Sequence, residues 1–284
     1  MLRSLFAGIS GLRVNQTMLD VTGNNIANAN TAGFKSSSTV FQDTLSQMLT
    51  GATSAAADRG GLNPIQVGLG AQIGATATNM NQGSAQTTGR PTDMMIQGDG
   101  FFITQLGNEQ LYTRAGSFTF DETGTLTAPS GARVQGYQLD GAGNITGGLT
   151  DVSLDSAGLT PPVPAGAGLQ AYTVATDGTI RGVFSDGIQR DIMRLAMADF
   201  NNPMGLEKIG GTSFRASANS GAPQIGTPGT GGNGTLLGGT LEMSNVDLAA
   251  EFTNLILAQR GFQASSRVIT TSDQVLEDLV NIKR

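Results

Sequence analysis

Large apolar residues recur at every seventh position near the C-terminal end of the chain. The series that fills one core position of five successive heptads is Leu248, Leu255, Phe262, Ile269 and Leu276. The other core position is apolar at Phe252 and Val280 and polar in the three heptads between them. This pattern predicts a helix from Ser244 to Lys283, about 60 Å long at 1.5 Å per residue. Such a helix needs a partner for its apolar face, because long helices gain most of their stability from packing.

Local signals agree with this helix at its start and in its interior. Ser244 is followed three residues later by Asp247, which matches the acidic form of a capping box and predicts the helix start. Lys283 would lie near the negative end of the helix dipole. Gly261 inside the helix costs about 1 kcal/mol relative to alanine. We therefore expect a kink or a close contact with another helix at Gly261.

The N-terminal segment carries a second apolar stripe. Its members, spaced three, four or seven residues apart, are Leu2, Leu5, Ile9, Leu12 and Leu19. An asparagine-rich stretch closed by Gly33 is typical of a helix exit. We predict that residues 1–35 and 244–284 pair as an antiparallel coiled coil and that these twelve apolar residues of the two stripes mediate subunit assembly. The alternative is that both helices fold back onto the protein's own core.

The middle of the chain has the pattern of an antiparallel β domain, predicted over residues 91–220. Short β-prone runs lie at 101–103, 117–120, 133–139, 172–175, 179–184 and 192–198, with turn signals such as Asp177-Gly178 and Asp186-Gly187 between them. A proline-containing loop is expected at 159–167. Stretches rich in small residues at 36–90 and 221–243 predict an extended connector that runs together as a stalk. The fold class is therefore α+β.

Composition excludes several kinds of chemistry. The chain has no cysteine and no histidine, so it has no disulfide, no thiolate nucleophile, no Cys/His zinc site and no histidine base. Sixteen Lys+Arg against 22 Asp+Glu argue against a nucleic-acid groove. No apolar run approaches the roughly 20 residues that a membrane-spanning helix needs. Gly8, Ser10, Gly11 and Arg13 interrupt the apolar N-terminus, which argues against a cleaved signal peptide.

Three local patterns suggest a ligand site and each is incomplete. Gly98-Asp99-Gly100 lacks the third glycine and the lysine of a phosphate loop, so we interpret it as a turn. Residues 140–144 lack the third ligand and the final glutamate of a calcium loop. Arg90, Asp93 and Arg114 are interpreted as a structural ion-pair cluster. We therefore predict no catalytic, cofactor or metal site, and no enzyme.

Four stretches resemble the flagellar rod and hook axial proteins. They are LFAGISGLRVNQTMLDVTGNNIANANTAGFK at 5–35, QGSAQTTGRPTDMMIQGDGFFITQ at 82–105, LYTRAGSFTFDETGTL at 111–126, and the segment from Glu242 that begins EMSNVDLAAEFTNLILAQRGFQ. The resemblance implies a structural subunit that polymerises into a helical tube around an export channel. Within the family, QVGLGAQIG and the Ala/Gly-rich stretch at 48–70 favour a short hook subunit without an additional outer domain. The alternative is a distal rod subunit of the straight drive shaft.

A hook subunit implies a flexible universal joint that transmits motor torque to the filament. Its implied partners are further copies of itself, the distal rod protein at the proximal end, the hook cap during assembly and the hook–filament junction protein at the distal end. The flagellar type III export apparatus would deliver the unfolded chain to the extracellular hook. Neither nucleic acid nor membrane insertion is implied. The helices would line the channel and be disordered until neighbours cover them.

Overall fold

The computed structural model describes residues 2–55, 59–140, 143–154, 162 and 168–282. These residues form two compact units. The helical unit comprises the described residues of Met1–Ala27, Ser37–Thr78 and Val246–Arg284, and the β unit comprises those of Asn28–Ser36 and Asn79–Asn245. The structure is thus a mixed α+β fold with a helix towards each end of the chain and a β-rich centre, as the sequence predicts. The predicted domain boundaries remain a prediction.

The helical unit contains two long helices that lie antiparallel. Helix α1 spans Leu2–Ala27, and helix α2 spans Leu248–Ile282. Ser4 Oγ, near the start of α1, lies 3.3 Å from Ser272 Oγ, late in α2. At the other end, Asn25 Nδ2 donates to Glu251 Oε1 at 3.0 Å. The supercoiling of the two helices around each other remains a prediction. Neither described helix is long and apolar enough to cross a membrane.

The start of α2 differs from the sequence prediction. The backbone N–H groups of Ala249 and Ala250 donate to Asp247 Oδ1 at 2.9 and 3.3 Å, so Asp247 caps a helix that begins at Leu248. Ser244 is buried and belongs to the β unit, so its prediction as the helix start is wrong. A carboxylate accepts two N–H groups at once, which explains why the acidic residue takes the capping position. Lys283 lies outside the described residues.

A two-stranded antiparallel ribbon completes the helical unit. Its strands are β1 (Ser37–Asp43), β2 (Ser46–Thr50), β3 (Ile65–Gly68) and β4 (Ala71–Thr78). Strand β1 pairs with β4, and β2 pairs with β3, so residues 37–78 fold back on themselves as one hairpin. These pairings lie within the stretch 36–90, for which the sequence predicts an extended connector, and the connector remains a prediction. Low-complexity composition predicts extension, but it does not reveal which partner strand is available.

The β unit contains the remaining described strands, and all of their pairings are antiparallel. They are β5 (Ala85–Thr87), β6 (Met94–Gln97), β7 (Phe101–Leu106), β8 (Glu109–Thr113), β9 (Thr119–Phe120), β10 (Leu126–Thr127), β11 (Arg133–Leu139), β12 (Ile145–Asp151), β13 (Leu169–Val174), β14 (Thr179–Phe184), β15 (Gln189–Leu195), β16 (Met197–Asp199), β17 (Glu207–Gly210), β18 (Ser213–Arg215), β19 (Gln224–Gly226), β20 (Thr235–Gly238) and β21 (Thr240–Glu242). A short 3₁₀ helix, Pro203–Gly205, precedes β17.

Most of these strands belong to one sheet, whose main path runs β13-β14-β15-β11-β7-β8-β18-β17. Adjacent residues of β7 enter different hydrophobic clusters, with Phe102 beside Phe118 and Phe101 beside Phe200. This follows from the alternation of side chains along a strand. The predicted second connector stretch, 221–243, contributes β19, β20 and β21, which pair with β16, β6 and β5. Except for Pro162, the predicted loop at 159–167 lies outside the described residues.

Candidate assembly surface of the terminal helices

Small and polar side chains make the closest contacts between α1 and α2. A Cβ atom added to Gly261 would lie 2.5 Å from Asn15 Oδ1, and one added to Gly11 would lie 2.8 Å from Ser265 Oγ. The close helix contact predicted as one alternative at Gly261 is therefore present. We call the surface formed by these residues the polar seam: Ser4, Gly8, Gly11, Asn15 and Asn25 of α1, with Glu251, Ala258, Gly261, Ser265 and Ser272 of α2. The spacing of three and four residues is that of a helix–helix contact.

The apolar residues predicted to mediate assembly lie mostly outside the polar seam. One of them, Ile269, reaches it, because its Cγ1 would be 3.1 Å from a Cβ on Gly8. The partly buried members are Leu5, Leu12, Leu19, Leu255, Ile269 and Leu276. The exposed members are Ile9, Leu248, Phe252, Phe262 and Val280. Leu2 lies in α1, and its side chain is not among the described ones. Their role in assembly remains a prediction.

Further apolar residues of the helical unit are exposed and were missed by the heptad pattern. On the helices they are Phe6, Ile256, Leu257, Val268, Val275, Leu279 and Ile282. On the ribbon they include Leu45, Met48, Leu49 and Ile65. Phe6 is 66% exposed and Leu257 is 60% exposed, although both are large side chains. The helical unit therefore exposes many large apolar side chains, and a role for them in subunit contacts is a prediction.

A buried ionic cluster joins distant segments of the β unit. Lys35 Nζ lies 2.6 Å from Glu242 Oε1, and both side chains are at most 1% exposed. Arg114 NH1 lies 3.8 Å from Glu242 Oε2, and the Gly83 N–H donates to Glu242 Oε1 at 2.9 Å. Burial lowers the pKa of the Lys35 amine, and the bond to Glu242 opposes that shift. The cluster closes a loop of the chain and points to a structural role.

This cluster corrects the predicted grouping of Arg90, Asp93 and Arg114. Arg114 pairs with Glu242 instead, whereas Asp93 Oδ2 accepts from the Thr88 hydroxyl at 2.6 Å. Sequence spacing placed these residues together because they are close along the chain, and Glu242 is more than a hundred residues away. Gly98 and Gly100 have φ angles of 106° and 113°, as a turn requires. The described residues contain no group of three or more acidic side chains that could hold a metal.

Models of known protein families match the segments that carry the two helices. Residues 5–35 match the family model described as flagella basal body rod protein, and residues 237–282 match flagellar basal body rod FlgEFG protein C-terminal. Residues 95–182, in the β unit, match flagellar hook protein FlgE/F/G D1 domain. The flagellar basal-body rod protein FlgG of Bacillus subtilis (strain 168) is 44% identical, with all of both chains covered.

The chain belongs to the flagellar rod and hook axial protein family. The resemblance found in the sequence is thereby confirmed. FlgG of Caulobacter vibrioides is 34% identical over 97% of both chains. The flagellar hook protein FlgE of Borreliella burgdorferi is 30% identical over all of both chains, in an alignment of 441 positions. The family consists of structural components of the flagellar rod and hook and is not an enzyme family.

Proposed function

We propose that this axial protein is a subunit of the flagellar distal rod, the straight drive shaft. The observation that carries the proposal is the end-to-end match to a rod protein at 44% identity over 285 aligned positions. The hook relatives align over 441 and 463 positions, which far exceed the 284 residues of this chain. A rod subunit therefore agrees with both the length and the identity of the relatives.

The apolar surface of the helical unit supports assembly into a polymer. The polar seam satisfies the contact between α1 and α2 with small residues, while large side chains such as Phe6 and Leu257 stay exposed. Burial of one large apolar side chain contributes about 1.5–3 kcal/mol, so neighbours that cover this surface stabilise one another strongly. In this proposal the helices line the export channel, and the type III export apparatus supplies further copies of the chain at the distal end.

The hook remains the second candidate, supported by the 30% identity to hook proteins across the whole chain. The sequence favoured it because residues 48–70 are rich in alanine and glycine. In the structure this stretch carries β3 and the end of β2, and such a hairpin is compatible with either subunit. If the chain were a hook subunit, its partners would be those inferred above from the family resemblance. As a rod subunit, it would instead meet hook subunits at its distal end.

Electron microscopy of polymers assembled from the purified full-length chain tests the proposal. We expect straight, stiff tubes, because the rod is a drive shaft that does not bend as it turns. Curved or supercoiled tubes would contradict the rod assignment and support the hook. A chain that stays monomeric at every concentration and salt condition tested would contradict both.

A further inference from the structure

An apolar groove runs between α1 and the ribbon within the helical unit. It has a volume of about 580 Å³ and is lined by Phe6, Ile9 and Val14 of α1, with Leu69 and Ile73 from the ribbon side. Arg13 is the charged residue among those that line it. Because Phe6 and Arg13 are seven residues apart, they lie on one face of α1. The groove thus combines an apolar floor with one positive charge.

The last turns of α2 extend past the start of α1. The contact between Ser4 and Ser272 places residues 275–282 beyond the first turn of α1, which begins at Leu2. We call these residues the overhang. Val275, Leu279 and Ile282 lie on one face of it, and each is at least half exposed. Asp278 adjoins that apolar face, so the overhang combines an apolar stripe with a negative charge.

The groove and the overhang match in length, polarity and charge. At 1.5 Å per residue, the overhang and the stretch of α1 from Phe6 to Val14 are each about 12 Å long. Arg13 in the groove complements Asp278 beside the apolar stripe. The overhang cannot fill the groove of its own chain. Because α2 is antiparallel to α1, it leads away from Phe6, whereas the groove runs from Phe6 towards Val14.

We infer that the overhang of one copy docks in the groove of a second copy. This inference rests on the proposed function of a self-assembling subunit. It specifies the two surfaces that meet, which are the groove and the overhang. These surfaces differ, so each copy offers one groove and one overhang. A contact of this head-to-tail kind adds copies without limit unless its rotation closes a ring, and it therefore builds an open polymer.

Engineered cysteines test the contact without competing disulfides from natural thiols, because the natural chain contains no cysteine. One preparation carries Leu279→Cys and the other carries Leu69→Cys, and they are mixed, assembled and oxidised. We expect a disulfide-linked dimer that contains one chain of each kind. A matched control replaces Leu69→Cys by Leu106→Cys, at an exposed leucine of the β unit, and we expect at least tenfold less cross-linking there.

A charge exchange tests the same contact by affinity. We expect Arg13→Glu and Asp278→Arg each to raise the concentration needed for assembly about tenfold, since each places like charges at the contact. The double variant should return to within about threefold of the natural chain. This contact alone would be overturned if the natural chain polymerises but two results fail. The specific cross-link does not form, and the double variant assembles no better than the single variants. A natural chain that never assembles would overturn it together with the proposed function.

Discussion

Replacement of Lys35 by methionine is expected to lower the free energy of unfolding of the β unit by about 3–5 kcal/mol, the usual effect of removing one partner of a buried ion pair. The variant leaves the Glu242 carboxylate buried, with Arg114 NH1 at 3.8 Å and the Gly83 N–H as its remaining partners. Urea unfolding of the full chain measures the effect. The tyrosines, all in the β unit, supply the fluorescence signal, since the chain has no tryptophan.

An exposed ion pair in the same unit supplies the control for Lys35→Met. Arg181 Nε lies 3.0 Å from Asp191 Oδ1, and both side chains are more than a third exposed. Arg181→Met should change the free energy of unfolding by less than about 1 kcal/mol, because water screens such a pair. Equal effects of the two substitutions would contradict a special role for the buried cluster.

The second large effect is expected at the apolar stripe of α2. Phe262→Asp should raise the concentration needed for assembly by about 10- to 100-fold, because each 1.4 kcal/mol of lost burial weakens association tenfold. Phe262 is 38% exposed in the single chain, and a neighbouring copy that covers this exposed part would bury the new charge. Leu255→Asp should act in the same direction. Sedimentation of assembled material across a concentration series measures both.

Gln274→Asp places the same charge at an exposed polar position of α2 and serves as the matched control. We expect it to assemble at nearly the natural concentration. The β unit of all three variants should keep its urea unfolding midpoint, because the stripe belongs to the helical unit. Normal assembly of Phe262→Asp and Leu255→Asp would show that the stripe is not a subunit contact.

The two helices were predictable from the sequence because their apolar spacing extends over many turns. The face that each helix presents to the other could not be predicted from this spacing. Leu255, Ile269 and Leu276 are partly buried, Phe262 is 38% exposed, and Ile269 reaches the polar seam at Gly8. Glycine and serine at the true contact carry no hydropathy signal.

Contacts between distant segments also could not be predicted from the sequence. Lys35 and Glu242 are 207 residues apart, and no other charged residue lies within four positions of either one. Their pairing becomes visible only when β21 carries Glu242 into the β unit. The strands themselves were easier to predict, because glycine turns such as Asp177-Gly178 mark their ends and Gly178 adopts a φ of 79°. Short-range sequence signals therefore predict the strands and turns, whereas the ion pair depends on packing between distant segments.

Limited trypsin digestion of the full chain, as dilute monomer and as assembled polymer, tests most directly whether neighbouring copies complete the helical unit. Arg13 on α1 and Arg260 and Arg267 on α2 are exposed and supply the cleavage sites. We expect rapid cleavage at these sites in the monomer and protection in the polymer, with the β unit resistant in both. Helices that resist trypsin in a chain that stays monomeric at high concentration would contradict the assembly of this protein into a flagellar axial polymer.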